Sequence, residues 1–221
     1  IKSGEKVALV GATGAGKSTI INLISRLYEF DSGDIAIDGT SIRDYDLKSL
    51  RNRVSVVLQE VFLFADSLYN NITLYNTQIT RDMVIKASKE IGVHNFIESL
   101  PQGYDYNVKE RGVMLSSGQR QLIAFLRAYI TQPAILVLDE ATSSVDSYSE
   151  EIIQRAIDKL THGKTSIIIA HRLATVKNAD RILVMDGGKI VEEGTHEELL
   201  KVKGSNYSKL YEVQFADEVP I

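Results

Sequence analysis

A glycine-rich stretch near the start of the chain constrains its fold more than any other feature. Residues 11–18 read GATGAGKS and lie between an apolar run, Lys6–Val10, and an apolar segment, residues 18–28, that we predict to be a helix. The spacing fits G-x-x-x-x-G-K-[ST], in which the glycines let backbone N–H groups turn towards phosphate oxygens. A dinucleotide-binding turn would need G-x-G-x-x-G and no fixed lysine. The stretch therefore predicts a strand, a phosphate-binding loop and a helix, in that order.

The residues of this loop, which we call the P-loop, are candidates for contact with nucleotide phosphates. Lys17 supplies a positive charge for the β- and γ-phosphates, and the hydroxyl of Ser18 can ligate Mg²⁺. The N-terminus of the following helix adds its own positive partial charge. The predicted nucleotide-binding residues of this stretch are Gly11, Ala12, Thr13, Gly14, Ala15, Gly16, Lys17, Ser18 and Thr19.

Apolar runs along the chain predict an α/β fold with a mostly parallel sheet. Residues 54–58, 134–140 and 165–171 read as strands, residues 34–39 as a short half-exposed strand, and residues 181–194 as a hairpin turning at Gly187-Gly188. Helical periodicity replaces these runs between residues 62 and 129, which predicts an inserted α-helical subdomain. We therefore divide the chain into the first part of a P-loop core (1–60), a helical subdomain (61–130) and the second part of the core (131–221).

Composition excludes several classes of protein. The net charge of −4 over 221 residues gives no footprint for a polyanion, so no nucleic-acid partner is expected. No apolar run approaches the roughly 18 residues that span a bilayer. The absence of cysteine excludes disulfides and thiolate metal sites. Because the first residue is Ile, we expect an excerpt or a processed chain.

Two carboxylates end the buried run ILVLDE, residues 135–140. Asp139 can hold Mg²⁺, usually through water. Glu140 lies where the strand leaves the sheet and can orient and partly deprotonate a water for in-line attack on the γ-phosphate. The alternative is an acidic pair at the start of a helix near Ala141-Thr142.

A Ser-Ser-Gly turn in MLSSGQRQ, residues 114–121, precedes an amphipathic segment that predicts a helix over residues 119–129. Hydroxyls, backbone N–H groups and a helix N-terminus together make a second anion site. Two phosphate sites in one chain indicate either two anions or two chains that share one. The alternative is an ordinary helix cap by Ser116 or Ser117.

This segment resembles the LSGGQ signature of ATP-binding cassette (ABC) proteins. Serine replaces the first glycine, and the corresponding residues are Leu115, Ser116, Ser117, Gly118 and Gln119, which we call the signature segment. The chain also resembles other family motifs, which occur along it in the order typical of the family. They are Gln59 at the Q-loop, SSVD with Asp146 at the D-loop, and His171 at the switch histidine. Each alone could be a capping or surface residue. Three histidines match no motif and are expected at the surface: His94, His162 and His196.

The resemblance implies an ABC-type ATPase domain that uses ATP and Mg²⁺. The implied Mg²⁺ ligands are Ser18, Gln59 and Asp139, and the implied catalytic residues are Lys17, Gln59, Glu140 and His171, with Gln59 also in contact with the nucleotide. Two such domains, as a homodimer or a heterodimer, would hold each ATP between the P-loop of one and residues 116–118 of the other, and Asp146 would cross to the partner. The family also carries an antiparallel β subdomain, of which we expect only a part here because its first strands are missing, and an aromatic residue that stacks on adenine. No aromatic residue precedes Gly11 here, so adenine recognition stays unassigned.

Three longer segments, residues 38–72, 109–128 and 169–199, are similar to ATPase domains of exporter-type ABC transporters. Their resemblance implies a transmembrane transport domain as partner and a position on the cytoplasmic side of the cell membrane. Glu110, Arg111 and Gly112 match a loop that touches the membrane domain in exporters, although Glu110 and Arg111 could also be a solvated charge pair.

Three other functions are compatible with a P-loop. A non-transport ABC ATPase would carry long coiled-coil or basic insertions. A catalytically silent nucleotide-binding module would have a replacement at Glu140 or His171, and both are present. A small-molecule kinase would have an arginine-rich lid and no signature segment.

Overall fold

The computed structural model describes residues 1–139 and 147–214. Strands in this part of the chain are β1 (Lys6–Val10), β2 (Ala36–Ile37), β3 (Thr40–Ser41), β4 (Val54–Val57), β5 (Ile135–Asp139), β6 (Thr165–Ile169), β7 (Arg181–Asp186) and β8 (Lys189–Gly194). The helices are α1 (Lys17–Ile24), α2 (Leu47–Arg53), α3 (Leu68–Thr73), α4 (Arg81–Glu90), α5 (His94–Glu98), α6 (Ser117–Ile130), α7 (Ser147–Thr161), α8 (Leu173–Lys177), α9 (His196–Lys201) and α10 (Asn206–Gln214). Among the described helices, none has the length and apolarity needed to cross a bilayer.

Six strands form one sheet in the order β4-β5-β6-β1-β7-β8. β1 runs parallel to both β6 and β7, and β5 runs parallel to β6. β8 is antiparallel to β7 and follows it through Gly187-Gly188, as the sequence predicted. β2 and β3 form a separate small antiparallel sheet. The predicted α/β class with a mostly parallel sheet and a partial antiparallel sheet is confirmed.

The described residues form two compact units. The first unit lies within residues 1–56, 134–142 and 163–221 and contains nearly all of the main sheet. Val7 and Leu9 of β1 join the apolar cluster on one face with Ile21 of α1, whereas Ala8 and Val10 join the cluster on the other face. Because both faces are covered, the central strands read as continuous apolar runs rather than alternating ones.

The second unit lies within residues 57–133 and 143–162 and is mostly helical. Its central helix is α6, which packs against α3, α4 and α7. The buried side of α6 comprises Gly118, Gln121, Leu122, Ile123, Ala124, Phe125, Leu126 and Ala128. Two short 3₁₀ turns, Gly103–Asp105 and Glu110–Gly112, belong to the same unit.

Helix α1 ends four residues earlier than the periodicity predicted. Arg26 adopts a left-handed φ of 48°, and its N–H donates to Leu23 O while Leu27 N donates to Asn22 O. These two bonds form a Schellman motif, which terminates the helix after Ile24. The apolar spacing of residues 18–28 also predicts that Leu27 lies on the buried side of the helix. This prediction was wrong, because the reversal leaves its side chain 53% exposed.

His196 also departs from its prediction as a surface residue. It begins α9, is only 8% exposed, and its Nδ1 lies 2.7 Å from the hydroxyl of Tyr207. The sequence identified the position as matching no motif, but its burial depends on the packing of α10 against α9.

Candidate active site

Three neighbouring parallel strands bring the main candidate residues of the first unit to one edge of the sheet. The P-loop follows β1, Asp139 is the last residue of β5, and His171 comes two residues after β6. These strands are adjacent in the order β5-β6-β1. Because the carboxyl ends of parallel strands share an edge, Lys17, Asp139 and His171 are brought together.

The P-loop has the backbone of an anion-binding cradle. Gly14 and Gly16 adopt φ values of 85° and 102°, which are open to glycine but strained for other residues. Gly16 caps α1 without a side-chain hydrogen bond, and the first turn of α1 contains no acidic residue. The N–H groups of that turn have no acceptor within the helix. An anion is therefore the natural partner for these donors.

Lys17 is the first residue of α1, and its side chain is buried. Its Nζ donates to Gly11 O at 2.6 Å and to Ala12 O at 3.0 Å, which holds the ammonium against the start of the loop. Burial lowers the pKa of Lys17, and the carboxylate of Asp139 partly offsets that effect. The site thus contains a buried positive charge without a fully compensating anion.

The positive charge of Lys17 shifts the pKa of both Asp139 and His171. Burial raises the pKa of Asp139, and Lys17 acts in the opposite direction. Burial lowers the pKa of His171, and the positive charge of Lys17 lowers it further. His171 is therefore neutral at pH 7, so one ring nitrogen can donate a hydrogen bond and the other can accept one.

The residues of this site suit a metal ion that arrives together with phosphate. Among the described residues, no group of three or more His, Asp or Glu side chains could hold a metal unaided. Mg²⁺ is usually bound by one or two protein oxygens, waters and substrate phosphates. The exposed hydroxyl of Ser18 and the carboxylate of Asp139 provide such oxygens on the first unit.

The signature segment belongs to the second unit and forms the start of α6. Ser116 caps the helix: its Oγ accepts from Gln119 N at 3.2 Å, and Gln119 Oε1 accepts from Ser116 N at 3.0 Å. The helix starts two residues earlier than predicted because this capping box fixes Ser117 as its first residue. Ser116 and Ser117 remain exposed, whereas Leu115 and Gly118 are buried.

Three further predicted site residues are Gln59, Glu140 and Asp146. Gln59 lies two residues after β4, is exposed and belongs to the second unit. Glu140 and Asp146 lie outside the described residues.

The P-loop makes a contact with the turn between β7 and β8 that was not predicted from the sequence. Gly188, in the turn between β7 and β8, donates its N–H to Ala15 O at 3.0 Å. The two glycines at 187 and 188 signalled the turn, but the 173-residue separation from Ala15 left no local signal of the contact.

A glycine cradle after a central strand, with a lysine on the first turn of the following helix, defines a P-loop nucleotide-binding domain. A family model described as ABC transporter matches residues 1–143. The chain belongs to the ABC transporter family, within which it is an ATPase domain of the exporter type.

Its relatives include exporters of two kinds. An ATP-dependent lipid A-core flippase from Shewanella frigidimarina is 51% identical over 218 residues, which cover 98% of this chain and 36% of the flippase. A Bacillus subtilis protein named for multidrug export as an ATP-binding/permease protein is 48% identical over 214 residues, which cover 97% of this chain and 37% of the relative. The chain therefore spans little more than a third of the length of these relatives.

A solved structure shares the fold along the whole chain. The structure of a bacterial Atm1-family ABC exporter with ATP bound superposes with a TM-score of 0.89 at 39% sequence identity, covering 100% of this chain and 38% of that exporter chain.

Proposed function

We propose that this domain hydrolyses ATP in the presence of Mg²⁺ and that the hydrolysis powers export by a membrane transporter. The observation that carries the proposal is the convergence of Lys17, Asp139 and His171 beside an uncapped, glycine-lined helix N-terminus. These groups match the needs of phosphoryl transfer, in which positioning and electrostatic stabilisation supply most of the catalysis.

In this proposal the chain's own residues divide the work. Lys17 offsets charge on the β- and γ-phosphates. Ser18, Gln59 and Asp139 would hold Mg²⁺, which would supply further positive charge beside the phosphate oxygens. Glu140 accepts a proton from the water that attacks the γ-phosphorus, and ADP leaves as inorganic phosphate forms. Neutral His171 donates a hydrogen bond to the γ-phosphate.

We infer that the complete site is shared by two copies of this domain or by this domain and a similar one. The support is the exposed Ser117 and the capped start of α6, which offer hydroxyl and N–H donors to a phosphate. In a head-to-tail pair, Ser116–Gly118 of one domain would close over ATP bound to the P-loop of the other, and Asp146 would cross the interface.

A surface of the second unit supports a membrane-domain partner. Three apolar side chains close to Gln59 in the sequence are each about half exposed: Leu58, Phe62 and Phe64. The rings of Phe62 and Phe64 meet edge to face with centroids 5.2 Å apart. The Glu110–Gly112 turn packs against the intervening Leu63, since a Cβ on Gly112 would lie 2.7 Å from Leu63 Cδ1. Exposed apolar clusters of this kind mark interaction sites. We propose that the transport domain docks here, on the cytoplasmic side of the membrane.

A lysine comparison tests the proposed chemistry. Lys17→Ala should weaken ATP binding and reduce hydrolysis by about 10²-fold or more, because the charge that stabilises the transferred phosphate is lost. Lys48→Ala, at an exposed lysine of α2, is the matched control and should leave both within about twofold of wild type. The measurements are a nucleotide titration and steady-state phosphate release. Unchanged ATP affinity in Lys17→Ala would reject the proposed role.

A further inference from the structure

The turn between β7 and β8 contacts the P-loop on one side. The N–H groups of the loop would bind phosphate on the opposite side. We propose that this turn is a brace that positions the P-loop for nucleotide binding, with Gly188 as a positioning residue. The inference rests on the proposed function, because it assigns the brace to the nucleotide site of that function.

The brace binds the carbonyl of Ala15, and the P-loop itself binds the N–H of the same residue. Gly188 N donates to Ala15 O at 3.0 Å, and Ala15 N donates to Ala12 O at 3.1 Å. Ala15 is 4% exposed, so neither bond competes with bulk water. The C=O of Ala15 lies in the peptide plane that joins Ala15 to Gly16, so its bond with Gly188 fixes the orientation of that plane.

This orientation determines where Gly16 N–H points. In a trans peptide the C=O and N–H of one plane point in opposite directions, and the described chain contains no cis peptide. Because Ala15 C=O points to Gly188, Gly16 N–H points away from the hairpin. Gly16 is the cap residue of α1, so the hydrogen bond aims a donor at the entrance of that helix. This is the direction from which a phosphate would approach.

The hairpin also comes close enough to restrict side chains in the loop. A Cβ on Gly11 would lie 2.4 Å from Met185 O, and a Cβ on Gly16 would lie 3.4 Å from Gly188 Cα and 3.5 Å from Met185 Cε. The register shifts between Val184 and Met185 of β7, which pair with Glu192 and Ile190, so Val191 is the extra residue of a bulge in β8. Bulges beside functional sites re-aim the chain, and here the bulge follows the turn that reaches Ala15.

A second turn of the chain provides a matched control. Gly188 has a φ of 79° and follows Gly187 with a φ of 52°; Gly39, between β2 and β3, also has a φ of 79° and follows Asp38 with a φ of 49°. A Cβ added at either Gly39 or Gly188 meets nothing within 4 Å. Valine therefore imposes the same backbone strain at both positions, but only Gly188 donates to the P-loop.

The experiment compares Gly188→Val, Gly39→Val and Gly188→Asn in the full-length natural protein. Asparagine tolerates the left-handed region, so Gly188→Asn keeps the turn and its N–H donor. The measurements are the Kd for ATP by titration, KM and kcat for hydrolysis, and the Tm. We expect Gly188→Val to raise Kd and KM about five- to tenfold, the equivalent of one lost hydrogen bond, with a smaller change in kcat. Gly39→Val should lower Tm by a similar amount but leave Kd within about twofold of the wild-type value. Gly188→Asn should also leave Kd within about twofold.

Equal ATP affinity in Gly188→Val and Gly39→Val would overturn the brace while leaving the proposed function intact. Absence of ATP binding by the wild-type protein would instead overturn the proposed function and the brace with it. If Gly188→Val does not fold, Gly188→Ala against Gly39→Ala makes the same comparison with less strain, and equal affinities there would again reject the brace.

Discussion

Burial is the larger cause of the pKa shifts of Asp139 and His171, and the buried ammonium group of Lys17 contributes to both. Lys17 is held by two carbonyl oxygens, lowers the pKa of His171 and opposes the burial-driven rise in the pKa of Asp139. A phosphate beside Lys17 would supply the missing negative charge and so would raise the pKa of both Lys17 and His171. Lys17 of the P-loop therefore couples nucleotide binding to the protonation of its neighbours.

A second histidine gives a pH prediction for stability. Burial lowers the pKa of His196 from its ordinary value of 6.5, the charge of Lys177 lowers it further, and Glu197 opposes both. Its ring contacts Tyr207 and Tyr211. The unfolded chain therefore takes up a proton at a higher pH than the folded chain does. The stabilisation from His196 is full above about pH 7.5 and is lost as the pH falls through 6.5 towards the lowered value.

The test compares wild type with His196→Gln by urea unfolding at pH 8 and pH 5.5. The difference in free energy of unfolding should shrink at pH 5.5, by up to about 1.4 kcal/mol for each unit by which folding lowers the pKa. His171, which also has a lowered pKa, is present in both proteins and cancels. An equal difference at the two pH values would contradict the assignment.

At the scale of elements, α6 connects the signature segment to the chain that follows Gln59. Arg127 on α6 donates to Asn71 O at 2.6 Å, to Phe62 O at 2.9 Å and to Asn71 Oδ1 at 3.0 Å. Asn71 is fully buried and in turn binds the backbone N–H and C=O of Phe64. Burial lowers the pKa of Arg127 to about 10, so it remains charged at pH 7. This network fixes the exposed Phe62–Phe64 surface to the helix that begins with Ser117.

Removing the guanidinium of Arg127 should lower the free energy of unfolding more than removing that of Arg120 on the same helix. Arg127→Met leaves the backbone carbonyls of Asn71 and Phe62 without this donor and leaves Asn71 Oδ1 with only the N–H of Phe64. We expect a loss of about 2–4 kcal/mol in the free energy of unfolding. Arg120→Met removes one bond, to Leu115 O at 2.6 Å, and should cost about 1 kcal/mol. Urea unfolding measures both losses, and amide exchange at residues 62–64 should increase only in Arg127→Met. Equal losses and equal exchange would exclude the proposed connection.

The sequence predicted elements whose signals are local. The glycine spacing identified the P-loop, the apolar runs identified β5 and β6, and Gly187-Gly188 identified the hairpin, because each depends on neighbouring residues. The end of α1 was missed because arginine, not glycine, occupies the left-handed position at residue 26. The contacts of Arg127 with Asn71 and of Gly188 with Ala15 join residues far apart in the chain, so no local pattern encodes them. The roles of Glu140, Asp146 and Gln59 stay predictions.

The two features that we propose to bind phosphate, the P-loop and the signature segment, belong to different compact units. The first unit carries the P-loop, Asp139 and His171, and the second carries the signature segment and Gln59. The central claim is that the signature segment completes the site of a second domain. Turnover by such a pair requires closure on ATP, and a defect in hydrolysis should make the closed pair accumulate.

The most direct test of this claim is the mass of the Glu140→Gln variant in solution with saturating Mg-ATP and with Mg-ADP. Glutamine keeps the size and hydrogen bonding of Glu140 but removes the basic carboxylate, so the variant should bind ATP and hydrolyse it about 10²–10⁴-fold more slowly. Light scattering should then give the mass of two chains in Mg-ATP and of one chain in Mg-ADP. Adding Lys17→Ala to the variant should abolish the dimer. A Glu140→Gln chain that binds ATP and yet keeps the mass of one chain, or that hydrolyses ATP at the wild-type rate, would contradict the account.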